Sequence, residues 1–277
     1  LAPTGALMAT AVGQDEAEIE SSRAPLLEHL VELRSRLMVA FGALLVAFAG
    51  CFFLAEPLFD FLIQPFKAAV ANVHPDKVNE AINLVYTGAF GFFGVKMQIA
   101  LFAAIVVAFP IIAWQIYAFI APGLYKRERA AALPFLIAAP IMFLLGGAFV
   151  FYVAMPFALE FALHQEVTRA DVKVSYLPKV DEYLGLVTTL VIAFGLCFQM
   201  PVVLSLLGRV GFVSASMLRK LRRYAIMGIA AFAALVTPPD VLSMTLMFIP
   251  MYALYEISIW LVWFIEKAKA KEEALVS

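Results

Sequence analysis

Cysteine is scarce: Cys51 and Cys197 are the two in 277 residues, each inside an apolar stretch. They form no CxxC and no metal-ligand spacing. That leaves them a role as small buried hydrophobes and argues against a disulfide. Histidine is nearly as rare, and His29, His74 and His164 all fall outside the long apolar runs. An intramembrane enzyme needing a nucleophile or metal pair at depth therefore has nothing to use. No Walker loop, no GxGxxG after a strand and no HExxH occurs. ATP-driven and metallo-enzyme chemistry have no footing, and no cofactor is expected. Charge is also sparse, at 15% of residues and net −1, which gives no general attraction to nucleic acid.

What is abundant is apolar surface. The chain is 64% hydrophobic with a mean hydropathy of +0.92, whereas a soluble domain is about 45–50% apolar and about 25% charged. The class that follows is an all-α, polytopic membrane protein. Spans of roughly 17–25 residues fit about 34–54, 90–120, 130–159, 183–207, 224–236 and 241–264. The fifth looks too short to cross a full bilayer upright. Pro110 in the second span, and Pro134, Pro140, Gly146-Gly147 and Pro156 in the third, predict bent helices that shape a concave bundle. Lys96 sits near the outer end of the second span, where it can snorkel to water.

The connecting segments set the orientation. Residues 1–22, with the acidic run Asp15–Glu20, lack a basic start before an apolar core. They make a poor signal peptide and read as a loose tail. The loop 56–83 opens with Leu58, Phe59, Phe61, Leu62, Ile63 and Phe66, an aromatic-rich segment expected to lie at the interface and to end at Gln64-Pro65. The loop 160–182 carries both charge signs, and 266–277 reads as a frayed charged tail. Fourteen of the 20 Lys and Arg fall on the face holding the N-terminus, the loops near 126 and 219, and the C-terminus. By the positive-inside rule both termini are cytoplasmic.

The stretch 25–37 is where water gives way to lipid. Leu26, Leu30, Leu33 and Leu37 form an apolar stripe at helical spacing, and Pro25 suits a first turn. Glu28, Glu32 and Arg36 share another face, with His29 and Ser35 beside them and Arg34 flanking the stripe. Charge at that depth points to function. A local ion pair between Glu32 and Arg36, four apart with Glu first, is an equally good reading. Gln199, mid-span in Cys-Phe-Gln-Met-Pro201, fits either a helix–helix hydrogen bond or a place on a pathway. Asp240 in Thr237-Pro-Pro-Asp240 suits a cap for the sixth span. Glu256 lies deep enough to need a partner.

Three motifs resemble the TatC family, the core membrane subunit of twin-arginine protein translocases. His29-Leu-x-Glu-Leu-Arg-x-Arg36 resembles its N-terminal signature. Phe119-Ile-Ala-Pro-Gly-Leu-Tyr-Lys-x-Glu128 resembles its first cytoplasmic loop, and Thr237-Pro-Pro-Asp240 its last turn. Ile249-Pro-Met-Tyr-x-Leu-Tyr-Glu256 adds to the match. The resemblance implies a translocase domain over 25–264 between cytoplasmic tails 1–24 and 265–277, in the cytoplasmic (inner) membrane. It implies no covalent chemistry, and transport driven by the proton gradient. Glu32 and Glu128 would bind the paired arginines of exported signal peptides on folded cargo, with Arg34, Arg36, Phe119 and Lys126 around them. Single-span partners of the TatA and TatB type would meet Thr237, Asp240 and Met244, within a larger, homo-oligomeric complex. Many relatives carry Glu where Gln199 stands, and an amide cannot carry a proton at ordinary pH, so a hydrogen-bonding role is what remains there. A small-solute transporter is the alternative class. It predicts inverted repeats and broken helices meeting at the midplane, but no repeat is visible and the charges cluster at span ends.

Overall fold

In a computed structural model of the chain, residues 4–73, 91–120, 126–164, 167–169, 172–174, 179–237 and 241–276 are described. They are almost entirely helical, and six helical passages match the six expected spans. Helix α1 covers Thr4–Phe53. Short helices α2 (Ala55–Leu62) and α3 (Gln64–Val73) follow, then α4 (Gly91–Ile120). The third passage is α5 (Lys126–Phe149), a widened π turn at Val150–Ala154, and α6 (Met155–His164). Two three-residue strands, β1 (Val167–Arg169) and β2 (Val172–Val174), form an antiparallel hairpin with Val167 opposite Val174. The fourth passage is α7 (Val180–Cys197) and α8 (Met200–Val210). Helices α9 (Ala215–Val236) and α10 (Val241–Val276) complete the chain.

Five of these passages are long and apolar enough to cross a membrane, beginning at His29, Gly91, Pro134, Val180 and Met244. The sixth is α9. Its first half carries Arg219, Lys220, Arg222 and Arg223, so only residues 224–236 are free of charge. That is about 20 Å of helix against a hydrocarbon layer of about 30 Å.

Several local readings change. Backbone helix begins at Thr4, so the segment read as a loose tail is continuous with the first span, and Pro25 lies inside the helix rather than in its first turn. The Ala- and Glu-rich composition of that segment favours helix on its own. Leu62, Ile63 and Phe66, in the segment expected at the interface, are buried in the main core rather than exposed. They hold there because α3 turns back to pack on α6, and because the Tyr183 hydroxyl donates to the Leu62 carbonyl at 2.9 Å. Gln64-Pro65 ends α2 and opens α3, since proline tolerates a first turn.

The fourth span is broken at Phe198–Gln199. Pro201 has no N–H to offer the Cys197 carbonyl, so the helical ladder cannot continue through it. Gly146 and Gly147 are not breakers, since α5 runs straight through them. They allow close approach of α5 to α7. A Cβ on Gly146 would stand 2.6 Å from the Phe194 carbonyl oxygen, and small residues serve this purpose between membrane helices. Both cysteines are free, Cys51 buried and Cys197 half-buried.

The packing order runs α1 on α4, α4 on α5 and α7, α5 on α7 and α8, α8 on α10, and α10 on α9. The bundle is open: α1 stands at one edge and the α9–α10 pair at the other. Large apolar side chains such as Val46, Phe53, Leu235 and Trp260 are exposed around it, as a lipid-facing surface requires.

Candidate functional site

The cytoplasmic end of α1 builds the first cluster. Arg36 wraps back one turn onto Glu32, with its Nε donating to Oε1 at 2.9 Å and its Nη2 to the same oxygen at 2.5 Å. The other carboxylate oxygen, Oε2, lies 3.9 Å from His29 Nδ1. Glu32 is about one-third exposed, and Arg36 about one-quarter. The local ion pair legible in the spacing is therefore formed, and it leaves one carboxylate oxygen without a close donor among the described residues.

His29 fixes this cluster to the rest of the bundle. Its ring stacks on Phe119 with centroids 4.3 Å apart and planes 18° from parallel. Phe119 is near the end of α4, where the chain enters the loop toward Glu128. The structure thus brings Glu32, Arg36 and Phe119 together through His29, which the sequence sets beside Glu32 without marking a role for it there. The signal was available: His29 lies three positions before Glu32, on the same helical face.

Arg34 is not in this group. Two residues from Glu32 is about 200° around a helix, so Arg34 points away and is exposed. It borders a shallow depression with Val31, Ser35, Met38 and Val39. Of the two arginines nearest Glu32 in sequence, Arg36 is paired with it and Arg34 faces elsewhere. Lys126 and Glu128 sit in the first turn of α5 by backbone position. Their side chains, and the whole of Asp240, lie outside the described residues.

The second polar set lies within the spans. Gln199 Nε2 donates to the Ala139 carbonyl of α5 at 2.9 Å and lies 3.4 Å from the Gly195 carbonyl. The amide therefore works as a helix–helix tie across the break in the fourth span. Glu256 gains two partners that the sequence could not name. Arg222 of α9 donates to its Oε2 at 2.7 Å, and the Tyr252 hydroxyl to its Oε1 at 2.8 Å. Two further ties join α9 to α10: Tyr255 donates to the Leu218 carbonyl at 2.7 Å, and Glu266 accepts the Ala215 N–H at 3.0 Å. Glu266, read as part of a frayed tail, caps a neighbouring helix. Its carboxylate also suits the positive end of that helix.

At the opposite end of α9, Thr237 is buried and its hydroxyl donates to the Ala233 carbonyl at 2.8 Å. Met244 is half-buried against the core. No group of three or more His, Cys, Asp or Glu able to hold a metal ion occurs among the described residues.

Comparison with known proteins is concordant. Residues 28–250 match the family described as "Sec-independent protein translocase protein (TatC)". The Sec-independent protein translocase protein TatC of Magnetococcus marinus is 38% identical over 252 residues, covering 91% of this chain and 89% of that one. The protein of the same name from Rickettsia prowazekii is 38% identical over 239 residues, covering 86% and 92%. The TatCy protein of Bacillus subtilis is 36% identical, covering 84% and 87%. A crystal structure of a twin arginine translocase receptor, TatC, superposes with a TM-score of 0.73 at 33% identity, covering 86% of this chain and 99% of that chain. An inner-membrane transport component rather than an enzyme is what these matches and the helical spans describe together, and the chain belongs to the TatC family of Sec-independent protein translocase proteins.

Proposed function

We propose that this chain is the receptor and core of a twin-arginine translocase, and that it binds twin-arginine signal peptides of folded cargo at its cytoplasmic face through Glu32 and Glu128. The observation that carries this reading is the Glu32–Arg36 pair. Glu32 already holds a guanidinium by two N–H donors at 2.5 and 2.9 Å, at a place both half-exposed and next to lipid. An incoming arginine replaces Arg36 in kind. No carboxylate is left bare in the exchange, so affinity is modest.

Selectivity comes from shape. A guanidinium is planar, permanently charged and forked, whereas an ammonium is a point charge with a tighter hydration shell. Two adjacent arginines need acceptors from two segments, and Glu32 on α1 with Glu128 at the start of α5 supplies them. The His29–Phe119 stack ties α1 to the helix that leads into the Glu128 loop.

The reading extends to partners. Single-span subunits of the TatA and TatB type dock where α9 meets α10, near Thr237, Asp240 and Met244, in an assembly with several copies of this chain. The energy source is the proton gradient. Gln199 is not a proton carrier in this scheme, because it is an amide occupied as a hydrogen-bond donor.

The test is peptide binding in membranes. A twin-arginine peptide and its twin-lysine version are compared on the parent protein and on Glu32→Ala and Glu128→Ala. Preference for the arginine form, reduced on the order of tenfold or more by either substitution, is expected from the loss of a charge-assisted hydrogen bond. Equal binding of both peptides, or indifference to both substitutions, overturns the carboxylate–guanidinium mechanism.

A further inference from the structure

A second charged pocket lies at the other side of the membrane, between α2 and the first turns of α4. It has a volume of about 250 Å³ and is lined by Ala55, Glu56, Phe59, Asp60, Phe92 and Lys96 over a floor of Val95 and Ile99. Glu56 and Asp60 are four apart, so both project from one side of α2. Lys96 reaches across from α4 to Glu56 Oε1 at 2.6 Å, and its ammonium sits 4.8 Å from the centre of the Phe92 ring. The first turns of α4 are at the end opposite the basic cytoplasmic loops, which puts the pocket at the level of the outer leaflet. Exposed Phe53 and Phe93 stand at the adjoining ends of α1 and α4.

Among the described residues the pocket's charges do not balance. Two carboxylates face one ammonium. Lys96 satisfies Glu56 and holds it below the usual carboxylate range. The Asp60 carboxylate has no partner among the described residues, although its backbone carbonyl accepts from Gln64. Lys96 has three N–H donors, of which Glu56 engages one. The site therefore offers an acceptor for a cationic donor and, about one turn away, spare donors for an anion.

A zwitterion with a primary ammonium and a phosphate fits both needs. We propose that this pocket binds the headgroup of an aminophospholipid of the phosphoethanolamine type in the outer leaflet. The lipid ammonium is placed on Asp60 and Glu56, and its phosphate on Lys96. Charge complementarity selects this occupant. A phosphoglycerol headgroup brings only negative charge to a pocket that is already net negative. A choline headgroup has no N–H to donate to the carboxylates. The bound lipid bridges α2 and α4, beside the span that is least buried in the bundle.

The experiment uses the full chain purified in a neutral detergent and native mass spectrometry. Phosphatidylethanolamine, phosphatidylcholine and phosphatidylglycerol with identical acyl chains are titrated separately. The proposal expects roughly tenfold preferential retention of the ethanolamine lipid, as for one charge-assisted hydrogen bond. Asp60→Asn should reduce that lipid to the choline level, and Lys96→Met should weaken the ethanolamine and glycerol lipids together. Asp60 is exposed, so Asp60→Asn should unfold at the parent's temperature, which separates lost binding from lost fold; Glu56→Gln is the second carboxylate variant. Equal retention of the three lipids overturns the proposal. So does an ethanolamine preference that survives both Asp60→Asn and Glu56→Gln, and so does soluble phosphoethanolamine displacing the lipid at equal concentration.

Discussion

Helix α1 and the α9–α10 pair stand at opposite edges of the bundle and are held in different ways. The α1 span is 6% buried, against 33% for the α10 span. It leans on α4 through apolar side chains, with the Cys51, Ala100 and Ala103 cluster toward the far end and the His29–Phe119 stack at the cytoplasmic end. Among the described residues, its strong polar contact at that end, Arg36 to Glu32, is within the helix and ties it to no other element. The α9–α10 pair is laced by polar bonds between the two helices: Tyr255 to Leu218, Arg222 to Glu256, and Ala215 to Glu266. Apolar contact to a neighbouring helix is poorly directional in lipid, because lipid tails are as apolar as the partner. Hydrogen bonds fix register. One edge is therefore held by apolar contact and a ring stack, and the other by directional hydrogen bonds.

The sharpest way to break this comparison is to remove one arginine from each edge. Arg222→Leu leaves Glu256 within the α10 span with the Tyr252 hydroxyl as its remaining donor, and a loss of about 1–3 kcal/mol is expected for a pair that is partly exposed. Thermal unfolding in detergent measures it, and the double change Arg222→Leu with Glu256→Leu should recover most of the loss. Arg36→Leu removes an exchangeable pair within one helix and should cost about 0.5 kcal/mol or less. Equal effects from the two would erase the distinction.

Next in size is the centre from which both edges hang. Gly146→Val forces side-chain atoms against the Phe194 backbone and should cost about 1–3 kcal/mol, lowering the unfolding temperature without a selective effect on either edge. His29→Ala removes the stack that anchors the α1 end, worth about 0.5–1.5 kcal/mol. Its signature is local: faster amide exchange at the cytoplasmic end of α1, with α9 and α10 unchanged. The smallest effect concerns pH. Lys96 lowers the Glu56 pKa from an ordinary value of 4.5. Stability from that pair is thus present above the unfolded value and is lost as pH falls through the lowered folded one. Unfolding temperature should decline below about pH 4.5 more steeply in the parent than in Lys96→Met.

The spans, their orientation and the Glu32–Arg36 pair were legible because each rests on local rules: hydropathy, the distribution of basic residues, and i,i+4 spacing. What was not legible depends on distant residues. Nothing near Glu256 in sequence announces Arg222, 34 positions earlier. Glu266 looks like one charge among several in a tail until Ala215 is found beneath it. Leu62, Ile63 and Phe66 carry the composition of an interfacial segment, and only the return of α3 onto α6 turns them inward. The break in the fourth span was half-visible in Gln199 and Pro201. Reading it as a hydrogen-bonding site was sound, but its acceptor, Ala139, lies 60 residues away.

That break has a mechanical consequence. The fourth passage crosses as two rods: α7 lies with α4 and α5, while α8 lies with α10 and also touches α5. The covalent route between the edge bearing Glu32 and the edge bearing Thr237 therefore runs through a joint two residues long, held to α5 by the Gln199–Ala139 hydrogen bond and by the packing of Phe198 against Gly146 and Phe149. A broken helical ladder gives way at its break more readily than a continuous rod would, so what stiffens the link between the two edges is how closely that joint packs on α5.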